Sequence, residues 1–256
     1  MKIHDTAVVS KKAEIAEGVS IGPYSVINDN VKIGANTIVG AHCIIDEFTA
    51  IGKDCSIFSG AIVGSISQDK KFKGKKSFLE IGDRNIIREY STINRGTDEN
   101  SKTSIGNDNL LMAYSHIAHD CLVADNVVIA NCGTLAGHVI LERGVIVGGL
   151  TAIHQFVRIG ELSIIGGCSK VVQDIVPYSM SDGHPAKVFG VNSTGLERAD
   201  FSDNAKENLK KAFKMLFSMK LNLKNALAKI KNELPQTKEI TSLMEFITSS
   251  ERGIAR

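Results

Sequence analysis

The chain has 256 residues, 43% of them hydrophobic, no tryptophan and a formal net charge of +2 at pH 7. That near-neutrality excludes a general nucleic-acid binder, which needs many cations to neutralise phosphates. Five cysteines without a Cys-x-x-Cys pair, and an opening Met1–Asp5 without an apolar stretch, argue for a reducing, cytoplasmic setting and against a secreted one.

From the first residues a branched aliphatic side chain returns every sixth position. Ile3, Val9, Ile15 and their successors run unbroken to Val63, Ile81–Ile93 repeat the phase, and Ile105 to Val171 carry it on. Neither the helical period nor simple strand alternation produces this spacing. A six-residue repeat is the mark of a parallel β-helix, an all-β solenoid. The position four places after each aliphatic is mostly small (Ala7, Ser25, Cys43, Cys55, Ala61, Cys121), as the inside of a narrow prism requires. The next position after the aliphatic is often glycine (Gly22, Gly34, Gly52, Gly82, Gly148), which predicts glycine at each corner, where positive φ is cheap. Three hexads make one turn, so residues eighteen apart stack about 4.8 Å apart. Each buried isoleucine contributes roughly 1.5–3 kcal/mol. The apolar stretch Val127–Phe156 is interrupted by Asn131, His138, Glu142 and Arg143, so no membrane-spanning segment is expected.

Two excursions break the phase, at Ser65–Glu80 and Arg95–Ser104. Loops that interrupt a solenoid usually sit on its working face. After Val171 the repeat fades, and Asp174–Leu196 reads as irregular. Helical spacing follows. Ser202 suits an N-cap, with Leu209, Ala212, Phe213, Leu216 and Phe217 on one face, and Leu223–Leu234 and Ile240–Thr248 read as further helices. The expected division is a β-helix over 1–190, with excursions near 65–80 and 95–104, and a helical domain over 191–256. Lysines, among them Lys206, Lys210, Lys211 and Lys214, dominate the helical surface. They fit either a solvated cap on the prism or a dock for an acidic partner.

Four of the seven histidines lie close together: His116, His119, His138 and His154. None falls on an inward position of the hexad, so none is a core histidine. Stacking places His119 in one column with Gly137 and Gln155, and Asp120 one turn from His138. An imidazole can take a proton at cellular pH, a glycine amide can serve an oxyanion, and Asp120 or a second carboxylate can orient the ring. A base, an oxyanion donor and a shaped wall suffice to move an acyl group to a hydroxyl.

The runs His116-Ile117-Ala118-His119-Asp120-Cys121, Leu135-Ala136-Gly137-His138-Val139, His154-Gln155-Phe156 and Gly166-Gly167-Cys168-Ser169 resemble, in order and spacing, the UDP-N-acetylglucosamine O-acyltransferases of lipid A synthesis. Gln68-Asp69, Gly190-Val191-Asn192 and Arg252-Gly253 also match, so the resemblance covers essentially the whole chain. It implies left-handed coils and a homotrimer with sites between neighbouring prisms. The implied reaction passes a 3-hydroxyacyl chain from acyl carrier protein to the glucosamine 3-hydroxyl of a UDP-sugar. No metal or cofactor is implied beyond the carrier's phosphopantetheine.

By the same resemblance His119 is the general base, Gly137 the oxyanion amide, and Asp69 and Lys71 sugar contacts. His116, His138, His154 and Gln155 line the sugar and acyl sites, Gly167 accommodates a long chain, Asn192 and Arg198 lie near the nucleotide, and the basic helices meet the carrier. Two positions depart: Thr194 stands where the family often has glutamate, and Ala199 where it has a second arginine. Transfer to a 3-amino sugar stays open. So does a zinc hydratase of the carbonic anhydrase type, although its paired histidines sit five apart and His116 and His119 only three.

Overall fold

The computed structural model describes residues 2–256. The hexads wind into a left-handed prism walled by three sheets of 11, 9 and 8 strands, called here sheets one, two and three, parallel throughout except for the last strand of sheet one. Most strands are two residues long, one outward residue followed by the inward aliphatic. Ile3 pairs with Ile21, and Ile117 with Leu135, at the expected eighteen-residue stagger. Across the second excursion Ile93 pairs with Ile117, and across the first Ile57 pairs with Ile87. The extra residues are therefore extruded as loops while the ladder continues above and below them.

Ile21, Ile45, Ile87, Ile117 and Ile129 are among the buried aliphatics that stack inside. Small polar residues share that interior because corner carbonyls satisfy them. Ser25 donates to Gly40 O at 2.7 Å, and Thr37 to Gly52 O at 2.8 Å. Asn85 is wholly buried, donating to Gly82 O and Gly106 O and accepting from Asn109 N.

The corners correct one expectation. Glycines directly after the aliphatic, apart from Gly64, do not carry the positive φ. It falls two residues later, mostly on non-glycine residues such as Tyr24, Asn36, Asp54, Asp120 and Asn126. Asparagine and aspartate tolerate that left-handed conformation best of the side-chain-bearing residues. The glycines are required by close approach instead. A Cβ on Gly34 would lie 2.5 Å from the carbonyl carbon of Gly52 in the next coil.

After the last coil an antiparallel hairpin, Ser179–Gly183 with Ala186–Val191, closes the end of sheet one. Four α-helices follow, α1 (Ser193–Arg198), α2 (Asp203–Phe213), α3 (Leu223–Glu233) and α4 (Lys238–Thr248), with a π-helical turn, Lys214–Ser218, continuing α2. Ser202 caps α2 by accepting from Ala205 N. The chain end returns to the prism, where Ala255 N donates to Asp174 O and the Arg158 guanidinium lies 3.8 Å from the Phe246 ring centroid.

Gly34→Ala is expected to destabilise the protein by about 1–3 kcal/mol, the usual cost of overpacking. Denaturant midpoints check this, and an unchanged midpoint contradicts the close-approach reading.

Candidate active site

One corner of the prism, between sheets two and three, carries almost every residue singled out. His116 opens the sheet-two strand His116–Ile117, and His119, Asp120, Gly137, His138, His154 and Gln155 lie on the turns from sheet two towards sheet three. Both excursions leave from the same corner, since each runs from a sheet-two strand (Ile62–Ser65, Thr92–Asn94) to a sheet-three strand (Phe78–Ile81, Lys102–Ile105). They fold over His119. Its side chain points away from the prism interior and yet is 8% exposed.

The ring is held at one nitrogen and faces a carboxylate at the other. Nδ1 lies 2.9 Å from Asp120 Oδ2, and Nε2 lies 3.9 Å from Asp69 Oδ2. Burial works against ionisation of Asp120, but hydrogen bonding from His119 and Ser101 and the charges of His138 and His119 outweigh it. Its pKa ends below the usual carboxylate value. An ionised carboxylate can only accept. Nδ1 therefore donates, and Nε2 is left with its lone pair facing the cleft. The separation from Asp69 is too long for a direct hydrogen bond, so Nε2 stays free to take a proton.

Gly137 lies directly against this ring. A Cβ there would be 2.4 Å from His119 Cε1 and 2.6 Å from Nε2, so only glycine permits the packing. Its neighbour His138 donates N–H to His119 O at 3.0 Å, whereas the Gly137 N–H makes no hydrogen bond among the described residues. His138 stands edge-on to His119 with centroids 5.2 Å apart, and stacks on Phe156 at 4.7 Å. Phe156, given no role by the sequence beyond its place in the run His154-Gln155-Phe156, occupies the same column as His138 eighteen places on.

Other positions divide. His116 is half-buried, with Nδ1 2.7 Å from Thr92 Oγ1. His154 is exposed, and its Nδ1 donates to Gln155 O at 3.2 Å. Lys71 is exposed, but its backbone N–H donates to Asp69 Oδ1 at 2.8 Å and turns that carboxylate. Gly167 sits on the corner between sheets one and two, across sheet two from His119, with a would-be Cβ 3.2 Å from Gly149 O. Asn192 is buried and committed to structure: Nδ2 donates to Leu162 O at 2.8 Å, and Oδ1 accepts from Gly195 N and caps α1. Arg198 is exposed and makes no ion pair among the described residues. On α2, Lys206 pairs with Asp203 and Lys211 with Glu207. Lys210 and Lys214 instead border a cavity of about 300 Å³ shared with Phe189, Phe213 and Phe217.

Cys121 adjoins this cluster in sequence, but it points into the prism and burial pushes its thiol up to about 12. That removes it as a nucleophile. His119, Asp120 and His138 offer three atoms within 4.8 Å of one another, the one grouping of metal-ligating type among the described residues. The His119 Nδ1–Asp120 Oδ2 hydrogen bond accounts for one pair of them, and His138 Nε2 stands 3.8 Å from the same carboxylate oxygen.

The family model described as UDP N-acetylglucosamine O-acyltransferase, domain 2, matches residues 174–255, and the six-repeat bacterial transferase hexapeptide model matches residues 12–47 and 102–137. The acyl-[acyl-carrier-protein]–UDP-N-acetylglucosamine O-acyltransferase of Thermodesulfovibrio yellowstonii is 50% identical over 100% of this chain and 99% of its own length. That of Herminiimonas arsenicoxydans is 48% identical over 99% of each. Among solved structures, LpxA from Bacteroides fragilis superposes with a TM-score of 0.97 at 40% identity, covering 99% of both chains. LpxA from Acinetobacter baumannii does so with a TM-score of 0.95 at 44% identity, also covering 99% of both.

Burial, and then the nearby His119, hold the His116 imidazole below the ordinary histidine value. The unfolded chain therefore binds that proton first, and acidification below about 6.5 costs stability through this group. A histidine NMR titration should place the His116 midpoint below that of a free imidazole, and a midpoint above it contradicts the assignment.

Proposed function

The chain belongs to the UDP-N-acetylglucosamine O-acyltransferase family, and from that premise we propose how its own residues carry the reaction. The enzyme transfers an acyl group from acyl carrier protein to UDP-N-acetylglucosamine. The reading taken here is that a 3-hydroxyacyl chain goes to the glucosamine 3-hydroxyl, opening lipid A synthesis in the cytoplasm. The observation that carries it is the His119 ring, tied at Nδ1 to Asp120 and open at Nε2, lying over the Gly137 amide.

Nε2 takes the proton of the sugar hydroxyl as its oxygen attacks the thioester carbonyl. The carbonyl oxygen becomes an oxyanion and accepts from Gly137 N–H. The C–S bond then breaks, and the phosphopantetheine thiolate leaves with the proton held by the imidazolium, whose charge Asp120 stabilises meanwhile. A positioned base of this kind is typically worth 10²–10⁴-fold in rate, and an oxyanion donor a further 10²–10³-fold. Asp69, turned by the Lys71 amide, orients the sugar, while His138, His154 and Gln155 wall the cleft. No step calls for a metal or a resident cofactor.

Gly167 lies across sheet two from His119, and α2 packs on the hairpin strand Ala186–Val191 at the end of sheet one. Their participation fits a homotrimer with each cleft between two prisms. An exposed apolar ridge on the far corner of sheet two (Tyr90 55%, Tyr114 60%, Leu150 65% exposed) supports such packing, since large apolar side chains gain by burial against a second copy. Among the described residues no helix is long and apolar enough to cross a membrane. The acidic carrier meets Lys210, Lys211 and Lys214, with Lys206 beside them. Lys210 and Lys214 are the strongest candidates, because neither is in an ion pair among the described residues, whereas Lys206 and Lys211 are.

The deciding experiment incubates the enzyme with 3-hydroxyacyl carrier proteins of several chain lengths and either UDP-N-acetylglucosamine or its 3-amino analogue, and reads product mass. An ester product supports the reading, and an amide product alone overturns the hydroxyl acceptor. His119→Ala is expected to lower turnover by at least about 10²-fold with the oligomer intact, and turnover at the wild-type rate removes the base from the mechanism. Reversing Lys210, Lys211 and Lys214 to Glu should raise KM for the carrier protein more than KM for the sugar. Equal effects on both eliminate the docking surface.

A further inference from the structure

Two carboxylates flank His119, and each belongs to a different part of the chain. Asp120 sits on the prism corner, and Asp69 sits in the first excursion. The second excursion joins them. Thr97 N–H donates to Asp120 Oδ2 at 3.1 Å. Its side-chain Oγ1 lies 2.6 Å from Ser67 Oγ. Ser67 Oγ in turn accepts from Asp69 N at 3.1 Å. With Asp120 Oδ2 on His119 Nδ1 and Asp69 Oδ2 near Nε2, the circuit closes on the imidazole from both sides. Ser67 and Thr97 are 5% and 8% exposed, so their contact is shielded from competing water.

The geometry points to Ser67 and Thr97 as positioning residues: their hydroxyl contact locks the two excursions together and so sets the distance between Asp69 and the proton-accepting nitrogen of His119. Neither side chain touches the imidazole or reaches a reacting atom, so neither is a catalytic residue. Their work is indirect. Fixing both carboxylates relative to the ring before substrate arrives removes motions that otherwise have to be frozen during the reaction. A hydroxyl pair suits this place because each oxygen both donates and accepts. Thr97 can donate to Ser67 Oγ while that oxygen also accepts from Asp69 N. A methyl in place of either hydroxyl breaks the circuit and leaves a buried partner unpaired.

This inference rests on His119 being the base, and the test separates the two. Thr97→Val keeps the side-chain shape and the backbone N–H bond to Asp120 but removes the hydroxyl. With saturating acyl carrier protein and UDP-N-acetylglucosamine, it should lower kcat by between about 10- and 100-fold, the scale of a small misplacement of reacting groups. The carrier-protein KM should stay unchanged. Thr97→Ser, which retains the hydroxyl, should restore most of the rate. Ser67→Ala should match Thr97→Val, and the double variant should be no slower than either single one, because both sever one link. Wild-type turnover in Thr97→Val and Ser67→Ala, or additive losses in the double variant, overturns the positioning role while leaving His119 as base. Should Thr97→Val fold poorly by thermal melt, Ser67→Ala and Thr97→Ser carry the comparison alone. Turnover at the wild-type rate in His119→Ala overturns the underlying mechanism instead.

Discussion

The hydrogen-bonded register of the coils is the constraint from which the rest follows. A parallel ladder with an eighteen-residue stagger, Ile117 against Leu135 against Ile153, repeats every strand on itself about 4.8 Å higher. It decides which side chains share a wall, and it forces close approach at corners such as Gly34 over Gly52. The same stagger sets His119 over Gly137 and Asp120 beneath His138. Nothing local to the sequence around residue 119 brings those groups together. The prism does, because its aliphatic stack cannot slip by one residue without turning every inward isoleucine out.

Much of this could be read in the chain before any coordinates. The six-residue period of Ile, Val and Leu identified the β-helix, and its phase put His119 outside the prism and in line with Gly137. The corner glycines were legible as special but for the wrong reason, since sequence shows that a side chain is missing and not whether conformation or crowding forbids it. The burial of His119 was also hidden. Phase says outward, and outward usually means wet, but two loops whose path no periodicity reports fold over it. Ser67 and Thr97 escaped for the same cause: hydroxyls in polar loops look solvated until the loops are seen to touch. Asn192 was legible as important, yet its amide is spent on Leu162 O and on capping α1.

Electrostatics give the site its direction. Of the two imidazole nitrogens, one faces an ionised acceptor and the other a cleft, so the ring has one tautomer and one reactive end. Cys121, a stronger nucleophile in principle, is kept neutral and inside the prism. The helical end adds a second polarity. Lys206 and Lys211 are ion-paired within their own helix, whereas Lys210 and Lys214 border the aromatic cavity of Phe213 and Phe217 without an ion pair among the described residues. Long-range charge at that end and a short-range base at the corner divide recognition of a macromolecular donor from chemistry on a small acceptor.

The most direct test of the account is a crystal structure with UDP-N-acetylglucosamine bound, in which the distance from each sugar hydroxyl to the His119 ring is measured. The account predicts the 3-hydroxyl oxygen within hydrogen-bond reach of Nε2, about 2.6–3.2 Å, with Nδ1 still on Asp120. A sugar seated elsewhere on the prism, or a His119 ring turned so that Nε2 rather than Nδ1 meets Asp120, contradicts it.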